Sequence, residues 1–513
     1  MKERLIILGA GIMQGPIIRI AKELGFYTVV LDANSQASCA GMADKFEQID
    51  LKDKEGIETF ARTLQNSSGG LGGIMTAGTD FSASVAWTAQ RLGLPGIPYE
   101  AAMNASEKSR MRSCFKKAGL PSPEFITITK DYRFEKLSLP GNFPLVIKPV
   151  DNMGSRGCRR IDNADEFKPA AEAAIGFSRS GRAIVEAYMD GPEFSVDAIV
   201  YHGEITICGL ADRHIFFPPY FIEMGHTMPT VIEEGKQQKI LETFCDGIRA
   251  LGLAGKGSAG AAKGDIKLTE KGPMIGEIAA RLSGGYMSGW TYPYASGVQP
   301  IRAAILAAMG RKPDNLVPLK KWTCAERAFI SIPGTVKSIH GIEEARNLPM
   351  VKEVFTGITN GSKVTFPENN VTKCGNVIAA AEDRGKAIEA AENAARSILI
   401  RLDPDDKKTA EFLSSAKPGM SFPPDAFDVN PEIIPEKGCL APFRGLKDYC
   451  GRTVEECLEA VRVLTGFSLI EAIEKADNKI ELRRSFWAAL VRGSYQGAVY
   501  YIDNLGIEKC SET

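Results

Sequence analysis

The chain has 513 residues, a length that exceeds one hydrophobic core and predicts roughly three or four domains. Lysine and arginine number 62 and aspartate and glutamate 63, so the net charge of -1 provides no broad basic surface for nucleic acid or an anionic membrane. No apolar run is long enough for a membrane span, and no signal-peptide cleavage site follows the first apolar run. The 11 cysteines form no CxxC pair or Cys/His cluster. We therefore expect reduced thiols, no zinc and a cytoplasmic location.

The first hundred residues predict a small α/β domain. Residues 5–8 form a buried strand, 9–15 a glycine turn, 16–24 a helix and 26–31 a second strand that ends at Asp32. The glycines and Asp32 allow a dinucleotide site, with the carboxylate on a ribose. However, the spacing is GxGxxxG rather than GxGxxG, which favours glycines that only permit a tight turn.

A lysine inside an apolar strand is the first sign of an anion site. Residues 144–150 predict a buried strand that contains Lys148, and a lysine there costs free energy unless it meets an anion. Residues 151–160 follow as a polar loop with two glycines and three arginines, which can cover a triphosphate with N–H donors. A lysine that reaches solvent at the strand edge is the alternative, and the adjoining loop argues against it.

Two strand acids come next. Glu186 lies in a predicted strand over 183–189, and Glu193 lies in another over 191–200. Their carboxylates could accept hydrogen bonds from an adenine amino group and a ribose. Each acid taken alone would be interpreted as an exposed strand residue.

The most informative segment contains Asp265 and Glu277. Two strands that pair across a turn at 269–274, with Lys271-Gly272 as the turn signal, place these carboxylates side by side. Oxygen ligands of this kind suit Mg²⁺, whose coordination nucleotide phosphates often complete. Arg281 adds a positive charge near the same centre. A solvated hairpin with ordinary surface acids is the alternative.

Taken in chain order, these motifs resemble the ATP-grasp superfamily over about residues 1 to 400. The resemblance is to its carboxylate-amine ligase branch, which is similar to L-amino acid ligases, biotin carboxylase, carbamoyl phosphate synthetase and purine-pathway enzymes. It implies an α/β (α+β grasp) fold with a Rossmann-like domain at 1–100 and an ATP-grasp fold at 101–320. Within the latter, a small lid subdomain covers about 121–190 and the nucleotide and metal site covers 148–285. A C-terminal portion of the ligase follows at 321–403, and a mainly helical extension at 404–513.

The resemblance also implies a role for individual residues. The implied catalytic residues are Arg281 and Lys148, and the implied ligands of Mg²⁺ or Mn²⁺ are Asp265 and Glu277. The implied ATP contacts are Lys108, Lys148, Asn152, Gly154, Ser155, Arg156, Gly157, Glu186, Ala187, Met189 and Glu193. The implied substrate contacts are Arg213, His226, Arg281, Gly284 and Gly285. Ala279 departs from the family, which usually has an asparagine metal ligand at this position, so the coordination of a second metal is in doubt.

The implied reaction is ATP-dependent ligation. A carboxylate is activated as an acyl phosphate and coupled to an amine, with release of ADP and phosphate. The alternatives are a purine-type carboxylase or formyltransferase that activates bicarbonate or formate and, more remotely, an NAD-dependent oxidoreductase. The expected partners are small-molecule carboxylate and amine substrates, with no nucleic acid and no membrane. Helical patterns at 453–465, 469–476 and 482–505 leave an interaction module, a homo-oligomer surface and a lid open as roles for 404–513.

Overall fold

The computed structural model describes residues 2–415, 422–434, 440–466 and 484–504. The chain forms two compact units. The first comprises Met1–His214, His226–Ala325 and Ala380–Arg384, and the second comprises Ile215–Gly225, Glu326–Ala379 and Gly385–Thr513. The helix predicted at 469–476 lies outside the described residues.

The first unit begins with a four-stranded parallel sheet in the order β3-β2-β1-β4. Three of its strands are buried almost throughout because helices accompany them in a βαβ arrangement, and Ile6, Leu8, Val29 and Leu31 lie in its core. The edge strand Lys45–Gln48 has no fully buried residue. The strands are β1 (Arg4–Leu8), β2 (Tyr27–Asp32), β3 (Lys45–Gln48) and β4 (Leu71–Met75). The helices are α1 (Gly15–Glu23), α2 (Lys54–Gln65), α3 (Ser82–Leu92), α4 (Tyr99–Ser106) and α5 (Lys108–Lys117).

A second, antiparallel sheet of four strands follows, and we call it the lid sheet. Its order is β5-β8-β6-β7. It packs on one helix through a small core that includes Leu145, Ile147, Val185 and Phe167. The strands are β5 (Phe125–Thr129), β6 (Leu145–Pro149), β7 (Arg159–Ile161) and β8 (Arg182–Ala187), and the helix is α6 (Phe167–Phe177).

The third sheet of the first unit carries the acidic hairpin. Its strands are neighbours in the order β13-β12-β9-β10. Gly264 lets the ring of Phe244 lie directly on the sheet, since a Cβ at this position would be 2.5 Å from that ring. The strands are β9 (Glu193–Tyr201), β10 (Glu204–Phe216), β12 (Ala259–Thr269) and β13 (Gly272–Ala279). The helices are α7 (Glu234–Ala250), α8 (Tyr292–Ser296) and α9 (Pro300–Ala308).

Three strands contain a boundary between the two units: β11 (Ile222–Met228), β14 (Thr323–Phe329) and β18 (Gly375–Ala381). In the second unit β16 pairs with β18, while β15 pairs with β17 and β19. The other strands are β15 (Gly334–His340), β16 (Val351–Thr356), β17 (Lys363–Val364) and β19 (Leu399–Leu402). The helices are α10 (Ile342–Asn347), α11 (Arg384–Ser397), α12 (Lys407–Ser414), α13 (Val454–Thr465) and α14 (Arg484–Asn504).

The helices predicted near the C-terminus are present where the chain is described. Thr453 and Glu456 form a capping box at the start of α13, and Gly466 ends this helix in a left-handed conformation. Trp487 and Leu490 of α14 pack with Leu458 of α13 in a separate core. The nine cysteines in the described ranges are free thiols. Across those ranges, we find no helix with the length and apolar character of a membrane span.

Candidate active site

Lys108 connects the lid sheet with the acidic hairpin. Its Nζ donates to the carbonyl of Asn152 at 2.7 Å and lies 3.8 Å from Oε2 of Glu277. Glu107 caps α5 by accepting from the amide of Ser109 at 3.2 Å, which fixes the backbone from which Lys108 extends. The structure therefore holds a buried ammonium group between the loop predicted to cover phosphates and the pair predicted to bind metal.

The lysine in the apolar strand has a buried anionic partner within the chain. Nζ of Lys148 lies 2.7 Å from Oε2 of Glu186, and Nε of Arg112 lies 2.8 Å from Oε1 of the same carboxylate. Arg112 also donates to the carbonyl of Gly276 at 2.6 Å. Burial would raise the pKa of Glu186, but Arg112 and Lys148 hold it below its usual range. Glu186 therefore positions Lys148, and both of its oxygens are engaged by cations.

The loop from Asn152 to Gly157 has the backbone that its glycines predict. Gly154, Ser155 and Gly157 have φ values of 69°, 60° and 67°, a region that glycine adopts readily. A Cβ at Gly157 would be 2.9 Å from the ring of Phe177 at the end of α6. Asn152 donates to the carbonyl of Phe177 at 2.7 Å. The loop is thus attached at both ends to the helix beneath it.

Two side chains of this loop region lie in a desolvated environment. Burial, with the repulsion of Arg179, lowers the pKa of Arg156, whose Nε donates to the carbonyl of Met153 at 3.0 Å. Burial raises the pKa of Cys158 to about 11, so this thiol is protonated at neutral pH. The charges of Lys148 and Lys108 oppose this effect of burial on Cys158.

The link predicted to contact adenine runs from β8 into β9. The amide of Ala187 donates to the carbonyl of Glu124 at 3.0 Å, and the carbonyl of Met189 accepts from Nζ of Lys267 at 3.1 Å. Lys267 also lies 5.2 Å from the ring centre of Tyr188. Both predicted backbone groups are therefore held by contacts within the chain.

The acidic hairpin has the predicted pairing. Asp265 of β12 and Glu277 of β13 are partners in register, and a bulge follows at Ile266. The turn is shorter than the predicted 269–274, because the strands continue to Thr269 and from Gly272 and leave only residues 270–271 between them. A two-residue connection of this kind is the common hairpin geometry.

The two carboxylates of the hairpin differ in their surroundings. Burial alone would raise the pKa of Glu277, but four cations lower it to about 2, so it remains ionised. Those cations are Lys108, Lys263, Lys148 and Arg281. Asp265 accepts from Ser195 at 3.1 Å and pairs with Arg213 at 2.9 Å and with Lys263. Glu277, whose side chain is 32% exposed, fits a hard divalent cation in its charge and its oxygen donors.

Arg281 and the loop after it are organised by a buried aspartate. Asp197 of β9 accepts from the amide of Ser283 at 3.2 Å and from its hydroxyl at 2.6 Å. Burial raises the pKa of Asp197 to about 6, although the hydrogen bonds from Ser283 and the charges of Lys263 and Arg281 oppose this shift. NH1 of Arg281 donates to the carbonyl of Leu282 at 3.0 Å. Its buried Nε has no hydrogen-bond partner among the described residues.

The loop after β4 brings another acid to Arg281. Burial raises the pKa of Asp80, and Arg281, Lys108 and Arg179 oppose that effect. Arg179 lies 3.7 Å from the Asp80 carboxylate. This loop reaches the site because Ala77 forms a β-bridge with Leu282.

The remaining predicted substrate residues have different positions. Arg213 pairs with Glu193 and with Asp265, so it belongs to the acidic hairpin cluster. His226 is fully buried, and its Nε2 lies 3.1 Å from the hydroxyl of Thr291. Gly284 lies against the loop after β4, since a Cβ there would be 3.3 Å from Cα of Gly78, and Gly285 has a φ of 59°.

The glycine turn of the first sheet is filled by the chain itself. The amide of Gly11 donates to Oε1 of Gln14 at 3.0 Å, and Nε2 of Gln14 donates to the carbonyl of Ala77 at 2.5 Å. The Asp32 carboxylate accepts from the amides of Ala10 and Asn34, each at 2.9 Å. These contacts occupy the donors and the acid that a dinucleotide would need, which supports the tight-turn interpretation.

A cleft of about 390 Å³ lies beside this turn. Among the residues that the structure describes, its lining includes the carboxylates Asp32 and Asp50 and no lysine or arginine. The apolar part of the lining includes Ile12, Met13 and Phe81. Phe81 directly follows Asp80, so the cleft adjoins the loop that reaches Arg281.

Sequence reasoning missed Arg112, Asp80, Asp197 and Lys263. Arg112, Asp80 and Asp197 have their partners on distant parts of the chain, so no local pattern marks their roles. Lys263 pairs with Asp265 two residues along the same strand, where the alternation of β12 places both on one face. For Asp197 the available signal was a charged residue inside the otherwise apolar run of β9.

Comparison with known proteins agrees with this geometry. Residues 141–289 match the ATP-grasp domain family, and residues 328–403 match the family described as L-amino acid ligase C-terminal domain 2. The crystal structure of an L-amino acid ligase from Bacillus licheniformis superimposes with a TM-score of 0.70. That match has 21% sequence identity and covers 78% of this chain and 99% of the other.

Two curated relatives match over shorter shares of their length. The alanine–anticapsin ligase of Bacillus subtilis is 28% identical over 245 residues, which cover 42% of this chain and 50% of that protein. Carnosine synthase 1 of Gallus gallus is 24% identical over 335 residues, which cover 61% of this chain and 36% of that protein. The chain thus spans half or less of the length of these two relatives.

The α/β fold, with its parallel N-terminal sheet and its antiparallel grasp sheets, is the ATP-grasp fold, as predicted. Residues 141–289 form an ATP-grasp domain, and the chain is similar to enzymes of the ATP-grasp ligase superfamily. Within it, the chain is similar to the L-amino acid ligases, whose C-terminal domain model it also matches.

Proposed function

We propose that the chain uses ATP and Mg²⁺, or Mn²⁺, to activate the carboxylate of an amino acid and to join it to an amine. One observation carries the proposal: the Lys108 ammonium lies between the carbonyl of Asn152, at 2.7 Å, and the carboxylate of Glu277, at 3.8 Å. Lys263, Lys148 and Arg281 add positive charge around the same carboxylate. These are the charges needed to hold a polyphosphate and a divalent cation together. When bound, the cation neutralises phosphate charge.

The reaction is written as two balanced transfers. A carboxylate oxygen of the substrate attacks the γ-phosphorus of ATP, the bond to the β-phosphate oxygen breaks, and ADP leaves. The nitrogen of the amine then attacks the acyl carbon, the carbon–oxygen bond to phosphate breaks, and the amine loses a proton. No side-chain nucleophile is required, so the proposed task of Lys108, Lys148 and Arg281 is positioning and charge stabilisation.

The pair Arg281 and Asp80 supports an amino acid as the carboxylate substrate. Arg281 is 8% exposed and its Nε has no hydrogen-bond partner among the described residues, so a substrate carboxylate can satisfy it. Burial raises the pKa of Asp80, and an ammonium group beside this carboxylate would offset its desolvation. The guanidinium of Arg281 and the carboxylate of Asp80 are therefore complementary to the carboxylate and the ammonium group of an amino acid.

The acidic cleft of the first sheet argues against the purine-type alternative. A ribonucleotide substrate would need cations for its phosphate, yet the described part of the chain contributes Asp32 and Asp50 to this lining and neither lysine nor arginine. The same lining is compatible with an amine.

Trapping with hydroxylamine tests the proposal. The protein is incubated with ATP, Mg²⁺, hydroxylamine and one amino acid at a time, because hydroxylamine converts an acyl phosphate into a hydroxamate. We expect ATP-dependent hydroxamate from at least one amino acid, and an amide when a suitable amine replaces hydroxylamine. Formohydroxamate or bicarbonate-dependent ADP, with no product from any amino acid, would contradict the proposal and favour the purine-type reaction.

A further inference from the structure

The two acids of the hairpin are opposite each other but are not equivalent. Oδ2 of Asp265 pairs with NH1 of Arg213 at 2.9 Å and with Nζ of Lys263, and Oδ1 accepts from Ser195 at 3.1 Å. Glu277 has its ion pair with Lys108 at the longer distance of 3.8 Å. The Asp265 side chain is 12% exposed and that of Glu277 is 32% exposed. The chain itself thus compensates the charge of Asp265 and leaves Glu277 more open.

Lys263 owes its position to the register of the sheet. It is the partner of Ala279 on β13 and of Asp197 on β9. Ala279 offers only a methyl group, so Lys263 meets no polar side chain opposite it on β13, whereas the buried Asp197 lies opposite it on β9. Lys263 is 15% exposed and pairs with Asp265. Its ammonium charge therefore compensates this carboxylate directly.

We propose that the Lys263 ammonium replaces a second divalent cation, so that the site binds ATP with one divalent cation, held by Glu277 and the phosphates. A divalent cation on Asp265 would have to displace two ion pairs in a largely buried environment, which is unfavourable. An ammonium is a compact point charge that can compensate a carboxylate without supplying a coordination site. This inference rests on the proposed function, because it specifies the metal content of the same nucleotide site.

The number of bound metal ions tests the inference without any measurement of turnover. The full chain is dialysed to equilibrium against Mn²⁺ and a non-hydrolysable ATP analogue, and bound Mn²⁺ and nucleotide are both counted. We expect one Mn²⁺ for each nucleotide. A ratio of two would overturn this inference and leave the proposed function intact. Failure to retain nucleotide would overturn the proposed function and this inference with it.

Two variants test whether Lys263 is the cause. The double variant combines Lys263→Met, which removes the ammonium charge, with Ala279→Asn, which adds an oxygen ligand. It should bind two Mn²⁺ for each nucleotide instead of one. Lys271→Met, in the exposed turn of the same hairpin, is the matched control and should remain at one. A folded double variant that remains at one would contradict the role of Lys263. If the double variant does not fold, the number of Mn²⁺ ions bound per nucleotide by the wild type tests the inference.

Discussion

At the scale of single residues, the site depends on buried side chains of opposite charge that fix one another's position, such as Lys148, Arg112 and Glu186. A functional role for Lys148 could be predicted because a lysine within an apolar strand is recognisable from the sequence alone. Arg112 could not, because its partner Glu186 is 74 residues away and on a different element. The position of Lys148 therefore depends on the tertiary structure, which brings the Glu186 carboxylate between the two cations.

Glu186→Gln should destabilise the protein by about 3–5 kcal/mol, because it leaves two buried cations without their shared anion. Urea unfolding of the folded variant measures this loss. The matched control is Glu124→Gln, which breaks an exposed pair with Lys116 at 3.0 Å and should cost no more than about 1 kcal/mol. Equal losses in the two variants would show that the buried carboxylate has no special role.

Asp197→Asn should change how stability depends on pH. The folded protein retains the Asp197 proton up to about pH 6, whereas the ordinary value is 3.8. The folded state therefore binds more protons in this window, and the contribution of Asp197 to stability falls as the pH rises from about 4 to 6.

The variant lacks this titration. The difference between its thermal midpoint and that of the wild type should therefore change in favour of the variant between pH 4 and 6 and remain constant above pH 6. Asp246→Asn, at an exposed aspartate, serves as the control. A constant difference between Asp197→Asn and wild type over this range would contradict the assignment.

At the scale of elements, the hairpin and the loops around it decide which residues meet. The pairing of Asp265 with Glu277 could be predicted, because turn signals and strand patterns lie close together in the sequence. The bulge at Ile266 and the two-residue turn could not, because they depend on how β12 pairs with both of its neighbours. The same holds for the approach of the loop after β4 to Leu282, which brings Asp80 to the site.

Gly78→Ala should weaken substrate binding through that loop. Gly78 has a φ of 67°, and a Cβ there would be 2.8 Å from Met13 and 3.4 Å from Gly284. We expect a several-fold higher KM for the carboxylate substrate, since displacement of the loop moves Asp80. Gly93→Ala has the same φ of 67° with nothing within 4 Å, so it reports the backbone strain alone, about 1–2 kcal/mol. Equal KM values in the two variants would exclude the loop as a substrate support.

At the scale of the whole molecule, the order of the motifs along the chain was sufficient to predict the fold. The ATP-grasp family matches residues 141–289, a range that contains the predicted nucleotide and metal site at 148–285. The identity of the substrates could not be predicted, because the side chains of the site come from the loop after β4 and from β9, β12 and β13, which meet only in the folded chain. The role of residues 404–513 stays open, although α13 and α14 share a core there.

ATP with Mg²⁺ should raise the thermal midpoint of the full chain, and NAD should not. Ligand that binds only the folded state stabilises it, by about 2.7 kcal/mol at one hundred times its dissociation constant. Gln14 and Asp32 already satisfy the glycine turn that a dinucleotide would use. A rise with NAD and none with ATP would contradict this account of the site.

The fate of carboxylate oxygen tests the central claim most directly. An amino acid labelled with ¹⁸O in its carboxylate is converted with ATP and an amine, and the released phosphate is analysed by mass spectrometry. Activation as an acyl phosphate predicts that one ¹⁸O passes from each converted carboxylate into phosphate, with ADP as the nucleotide product. Phosphate without label, or label in AMP, would contradict it.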